Sequence, residues 1–282
     1  MGTAFKWSAR FRFLPVKCPR LAGPIRRSGR GIVSPSPGIG PGRSELVNRQ
    51  GPLTQFRHLR KVGSMKIGII GAGNIGGNLT RRLAALGHEV SVANSRGPET
   101  LAALAEETGA TAVTAAEAAR DARVVIVTIP LKAVPALPAG FLDAAAQDAA
   151  VIDTGNYYPQ RDGRIAAIEE GLPESRWTEQ QIGHPVIKAF NGTYAQDIIT
   201  HGRPSGTADR QALPVAGDDA AAKRTVLELI DELGFDTVDA GGLDTSWRQQ
   251  PGTPVYGNRG DTAAIEKALD SASPERTAEW RA

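Results

Sequence analysis

Met65-Lys66-Ile67-Gly68-Ile69-Ile70 runs directly into Gly71-Ala72-Gly73-Asn74-Ile75-Gly76, and the reading of this stretch decides the fold. Lys66 to Ile70 is apolar, short and strand-like; a G-x-G-x-x-G turn follows at once. Asn78 to Leu86 then carries the apolar period of an amphipathic helix, stopped by Gly87, and Glu89 to Ala93 reads as a second strand. Each glycine has a mechanical task. Gly71 permits the turn out of the strand, Gly73 lets backbone approach a pyrophosphate, and Gly76 lets helix and strand pack closely. Ala72, Asn74 and Ile75 fill the turn between them, and the helix N-terminus offers free N–H groups to phosphates. Strand, turn and helix in this order point to a dinucleotide site.

The end of the second strand selects the dinucleotide. An NAD site places Asp or Glu there to accept from the ribose 2′-hydroxyl. This chain has Asn94-Ser95-Arg96 instead. A carboxylate would repel a 2′-phosphate, whereas a serine hydroxyl and a guanidinium both donate to it. NADP is therefore the expected cofactor.

The alternation continues outward. Glu99 to Glu107 and Ala115 to Arg120 read as helices, Ala110 to Thr114 as a short strand, and Val124 to Ile129 as a β-branched strand stopped by Pro130. Ala150 to Asp153 and Val186 to Phe190 are further strands. The pattern predicts a doubly wound parallel α/β sheet of the Rossmann type, with ligands beyond the carboxyl ends of its strands. That rule nominates Thr128, Ile129 and Pro130, then Gly155, Asn156 and Tyr157, and Asn191. Asn156 or Asn191 is placed to bond a nicotinamide carboxamide or a substrate. His184 precedes its strand and falls toward the other edge. A small C-terminal α/β domain is expected from Leu213–Ala216, Asp219–Leu233, Phe235–Ala240 and Thr262–Ser271, with acids at the start of the second segment as a cap. The expected division is an extension over 1–64, an NADP-binding domain over 65–192 and a substrate or dimerisation domain over 193–282.

Charge separates the first of these from the rest. Of 33 basic and 30 acidic residues, 13 and one fall in residues 1–64, leaving 20 and 29 beyond. The extension is rich in Arg, Gly and Pro without apolar periodicity, so disorder is expected there. A gene start called too far upstream, with Met65 as the true start, is the favoured account; a transit peptide and a basic binding tail are the others. Without a recognisable binding module, a nucleic-acid partner is not expected. The most apolar stretch, Val124 to Ile129, is strand-sized, so no membrane partner is expected either. Cys18 is the only cysteine and the four histidines are scattered, which suits a reducing, cytoplasmic setting and offers no metal site.

Taken in order, Met65–Gly76, Leu86-Gly87-His88-Glu89-Val90, Ser95-Arg96, Thr128-Ile129-Pro130, Lys188-Ala189-Phe190-Asn191, Gly217-Asp218-Asp219 and Val238-Asp239-Ala240-Gly241 resemble the NADP-dependent reductases of the deazaflavin (coenzyme F420) type. The resemblance covers most of 65–245. It implies hydride passage between NADPH and a deazaflavin stacked on the nicotinamide, and a homodimer. It also implies that Ala72–Ile75 hold the pyrophosphate, Ser95-Arg96 the 2′-phosphate, and that Ile129 touches the cofactor. Asp153-Thr154-Gly155-Asn156-Tyr157-Tyr158 and Trp247-Arg248-Gln249-Gln250 resemble a bacterial subgroup instead, and fall where the second substrate sits.

No obvious Lys–Asp or His–Asp catalytic pair is apparent in the sequence. Hydride transfer to a flavin-like ring needs alignment and water exclusion more than a strong acid, so this does not count against a flavin or deazaflavin acceptor, but it does count against a hydroxyacid dehydrogenase. An imine reductase resembling pyrroline-5-carboxylate reductase and a non-catalytic NADP-binding redox sensor are the alternatives. Catalytic residues are not identified by the sequence.

Overall fold

The computed structural model describes residues 63–282. The extension over 1–64 thus lies outside the described residues except for its last two. Six strands form one parallel sheet: β1 (Lys66–Ile70), β2 (Glu89–Ala93), β3 (Thr111–Ala112), β4 (Val124–Val127), β5 (Ala150–Asp153) and β6 (Ile187–Lys188). Their spatial order is β3-β2-β1-β4-β5-β6, so chain order reverses between β1 and β4. This is the doubly wound Rossmann arrangement read from the sequence, and the reversal opens a crevice at the carboxyl ends.

The sheet's apolar residues alternate between its two faces. Ile67, Ile69, Val124, Ile126 and Ile152 join one core, whereas Ile70, Val125, Val127 and Val151 join the other. Helix α1 (Asn74–Leu86) contributes Leu79 and Leu83 to the first. Each such side chain contributes about 1.5–3 kcal/mol on full burial. The second face is covered by α3 (Ala115–Ala119) and the chain around Phe141.

Sequence periodicity misplaced some boundaries. Helix α1 starts at Asn74 rather than Asn78, because the last glycines of the motif are already helical and let α1 press against the turn. The strand expected over 124–129 ends at Val127, and that over 186–190 contains only Ile187–Lys188. The region expected to be helical from Glu99 divides into a 3-10 turn, Pro98–Leu101, and α2 (Ala102–Thr108). The strand expected over 110–114 contracts to Thr111–Ala112. Residues 159–182, unassigned by periodicity, form α4 (Pro159–Asp162), α5 (Ala166–Glu169) and α6 (Glu174–Ile182).

After β6 come α7 (Ala195–Thr200), β7 (Ala212–Val215), α8 (Ala220–Leu233), β8 (Asp236–Asp239) and α9 (Thr262–Asp270). The parallel pair β7-β8 makes a small second sheet. One antiparallel bridge, Lys188 to Ala216, ties it to β6. Asp219 caps α8 as expected, accepting from the N–H groups of Ala221 at 2.8 Å and Ala222 at 2.9 Å. Val226, Leu229, Ile230 and Leu233 on α8 enter the same core as β1 and β4. The C-terminal α/β layer is thus packed onto the Rossmann sheet and shares its apolar core.

Candidate functional site

The chain leaves β1 through Gly71 at φ +114°, where a β-carbon would stand 2.2 Å from the Thr128 carbonyl oxygen. Gly76 is as constrained: a β-carbon there would meet the Gly71 carbonyl at 1.8 Å. These two contacts draw the start of α1 against the ends of β1 and β4. Gly73, between them, has nothing within 4 Å of its would-be β-carbon. It caps α1 without any side-chain hydrogen bond, and no acid lies in the first turn. The first-turn N–H groups and the positive end of the helix dipole therefore face open space, the arrangement that receives phosphate.

Three adjoining cavities spread from this turn. One of about 600 Å³ is walled by Gly71–Gly73, Asn94–Arg96 and Thr128–Pro130, among others. A second, about 390 Å³, shares Gly73 and Thr128–Pro130 with it and continues to Asn156, Tyr158, Arg161, Asn191 and Tyr256. A third, about 730 Å³, opens beside Ala72, Asn74, Arg81 and Arg96. Every residue singled out in the sequence for the crevice lines one of these, except Gly76 and Tyr157. Gly76 is buried below the turn, so it shapes the site without forming its surface. Among the described residues no carboxylate lines the first two cavities, and each presents an arginine. A polyanion laid along them meets positive or neutral groups throughout.

At the outer end the loop after β2 is tied to itself. Asn94 Oδ1 accepts from the Arg96 N–H at 2.8 Å, and Asn94 Nδ2 donates to Thr100 Oγ1 at 2.8 Å. Ser95 and Arg96 are left exposed on the rim. Arg96 makes no ion pair among the described residues, whereas neighbouring Arg81 is fully occupied, forked onto Glu107 by two bonds of 2.7 Å. The free guanidinium is the one that the sequence assigned to the 2′-phosphate.

At the inner end two amides meet. Asn156 Nδ2 donates to the Asn191 carbonyl at 2.8 Å, and Asn191 Nδ2 donates to Asn156 Oδ1 at 3.1 Å and to the Gln249 carbonyl at 2.6 Å. Phe190, just before Asn191, is buried in the left-handed region at φ +62°. Such backbone costs about 1–3 kcal/mol for a non-glycine residue, and here it turns Asn191 toward the crevice. Tyr158 and Tyr256 are hydrogen-bonded hydroxyl to hydroxyl at the cavity wall. Burial, and then the bond to Tyr158, push the Tyr256 phenol above its ordinary range. Arg161 stacks over the Tyr158 ring at 4.7 Å and donates to the Asn156 carbonyl at 2.6 Å.

One sequence expectation is corrected here. Tyr157 does not face the crevice: it is fully buried with Leu131, Val134, Ile168 and Trp177, its hydroxyl 2.8 Å from Glu169 Oε1. The outward position belongs to Tyr158, because the extended chain alternates its side chains at that point. A Lys–Asp pair is present in the fold, but not on the crevice wall. Lys188 Nζ lies 3.7 Å from Asp153 Oδ2 below the crevice, joined by adjacent strands rather than by local sequence. Arg161 and Tyr256 were also missed; neither sits in a motif, and Tyr256 reaches the site across 98 residues from Tyr158. His184 stays off the crevice, Nδ1 2.8 Å from the Pro185 carbonyl. No group of three or more potential metal ligands occurs among the described residues.

A parallel sheet reversing at β1 and β4, an uncapped helix start over open space and acid-free walls define a Rossmann dinucleotide-binding protein. Comparison with known proteins narrows this class. Residues 66–157 match the family described as NADP oxidoreductase, coenzyme F420-dependent. The chain is similar to the hypothetical protein SMa0349 of Sinorhizobium meliloti, with 30% identity, coverage of 69% of this chain and 94% of that one, and a TM-score of 0.57. It is also similar to a proposed F420-dependent NADP reductase from Arthrobacter sp. FB24, with 25% identity, coverage of 65% and 87%, and a TM-score of 0.53. Over 60 residues it is 45% identical to the protein YjhV of Escherichia coli (strain K12), a match covering 21% of this chain and 44% of YjhV, less than half that relative's length. The chain belongs to this NADP-dependent oxidoreductase family.

Proposed function

We propose that the crevice binds NADP(H) end to end and that the cavity beyond Asn156 receives a flavin- or deazaflavin-like hydride acceptor. The observation that carries this is the continuous acid-free wall from Arg96, past the α1 N-terminus, to Asn156 and Asn191. In this reading Gly71–Ile75 cradle the pyrophosphate, with Gly76 permitting their geometry. Asn94, Ser95 and Arg96 hold the 2′-phosphate, and Thr128, Ile129 and Pro130 support the cofactor at the switch point. Asn156 and Asn191 orient the nicotinamide end. NADPH, when bound, supplies the hydride; the chain's own residues align it and exclude water. A homodimer working in the cytoplasm on a small redox substrate completes the proposal. The single cysteine and the family resemblance support it. No helix among the described residues is long and apolar enough to cross a membrane.

A second reading is favoured by the Tyr158–Tyr256 pair. Two phenols on the wall of a cavity of about 390 Å³ suit a small imine or carbonyl acceptor, which takes up a proton with the hydride. Titration of the full-length chain with NADPH and NADH, followed by oxidation assays with deazaflavin, flavin and imine acceptors, tests both. Selective NADPH binding with deazaflavin or flavin turnover is expected. Turnover only with imines favours the second reading, and selective binding without turnover on any acceptor points to a sensor.

A further inference from the structure

Lys188, at the end of β6, is completely buried, unlike most lysines. Its Nζ donates to the Gly155 carbonyl at 2.5 Å and lies 3.7 Å from Asp153 Oδ2 and 3.9 Å from Glu174 Oε2. Asp153 holds the same peptide unit from the other side: Oδ1 accepts the Gly155 N–H at 2.8 Å, while Oδ2 accepts from Ser175 Oγ at 2.6 Å. Both backbone polar atoms of Gly155 are therefore bonded to a buried charge. A β-carbon at this position would stand 2.6 Å from Leu131 Cδ1 and 2.8 Å from Asp153 Oδ1, so a side chain fits only if these shift.

A second route leads from the same lysine to the crevice. The Lys188 carbonyl accepts from Gln249 Nε2 at 3.4 Å, and the Gln249 carbonyl accepts from Asn191 Nδ2 at 2.6 Å. One route ends beside Asn156 and the other on Asn191, the two amides that bond each other at the inner end. Arg276 completes the charge set by donating to Glu174 Oε1 at 2.6 Å. Burying such charges is expensive, and apolar replacements of buried ion pairs are often more stable. Here the charged cluster lies directly below the loop that walls the reacting end of the crevice.

We propose that Lys188, braced by Asp153, is a positioning residue that holds Gly155 so that Asn156 and Asn191 present their amides to the nicotinamide in one fixed register. The Lys188 side chain does not line the crevice and acts only through Gly155, the Gln249 contact being made by the main-chain carbonyl of the same residue. This inference rests on the NADP(H) reading above and adds which residue sets the geometry of its reacting end.

The test compares full-length native chain with Lys188→Met and Ser175→Ala, the second removing one brace of Asp153 without removing a charge. Affinities are measured for NADP⁺ and for 2′-phospho-ADP-ribose, which lacks the nicotinamide, together with the fluorescence lifetime of bound NADPH. Lys188→Met is expected to leave 2′-phospho-ADP-ribose affinity within about twofold, to weaken NADP⁺ toward the value for that fragment, and to shorten the bound NADPH lifetime. Hydride transfer should fall by about 10²-fold, the effect of misplacing reacting groups by about 1 Å. Ser175→Ala should show a smaller shift of the same pattern, and it carries the test if Lys188→Met does not fold. Equal losses for both ligands, or none for either, would mean a structural role only and overturn the inference. Failure of the native chain to bind NADP⁺ at all would overturn the crevice reading and this inference with it.

Discussion

Asn156 and Asn191, 35 residues apart, are bonded to each other twice, each amide nitrogen donating to an oxygen of the other residue. The pair closes the inner end of a crevice whose outer end is the free guanidinium of Arg96. Between these ends runs a wall without carboxylates among the described residues.

Arg96→Asp replaces the unpaired cation at the rim with a charge that repels a 2′-phosphate. NADPH affinity should drop by about 10–100-fold, the size of one lost charge-assisted hydrogen bond plus repulsion. NADH should change little. Comparable losses for both cofactors, read by parallel titration, would remove the NADP assignment.

The glycines of the turn should separate on substitution. Gly73→Ala places a methyl group in open space, so the melting temperature should hold while NADPH affinity falls. Gly76→Ala drives a methyl group into the Gly71 carbonyl. It should lower stability by about 1–3 kcal/mol even without cofactor, as overpacking does. Thermal melts with and without NADPH distinguish the two; a stable Gly76→Ala protein would refute the packing role.

Tyr158→Phe removes the hydroxyl that meets Tyr256. If the acceptor is an imine or carbonyl that needs a proton, turnover should fall by about 10²–10⁴-fold with cofactor affinity unchanged. With a flavin or deazaflavin acceptor the same variant should stay within a few-fold of native. Steady-state rates on each acceptor class therefore choose between the two functional readings.

Glu174 links pH to stability. Burial pushes its carboxyl above the ordinary range, and the pull of Lys188, Arg276 and the Tyr157 N–H offsets this only in part. The folded chain thus keeps the proton to higher pH than the unfolded chain. Its contribution to stability is full below the ordinary carboxylate value of about 4.3 and is lost as pH rises through the raised one. Melting curves of native and Glu174→Gln chains should show the native chain losing ground to the variant with rising pH. A native advantage that grows with pH would mean that the ionised form is the stabilising one.

The glycine turn, the strands on either side of it and the Asn94-Ser95-Arg96 loop were legible because their meaning is local. Periodicity, a required turn and a missing acid all occur within about thirty residues. Helix α1 was placed too late because its first turn consists of motif residues that carry no apolar period. Tyr157 and Tyr158 could not be told apart, since two neighbouring tyrosines differ only in which side of an extended chain they occupy.

Local sequence thus determined the Rossmann class and the position of the glycine turn, and it carries the expectation of a 2′-phosphate at Ser95 and Arg96. Sterics at glycine and the sign of a few charges act at short range. The sequence nominated Asn156 and Asn191, but how the inner end of the site is joined was decided by the tertiary structure. Asn156 meets Asn191, Tyr158 meets Tyr256, and Lys188 meets Asp153 only because parallel strands and the returning C-terminal layer bring separate segments together. Those contacts depend on burial and strand register, which no single segment of the chain encodes.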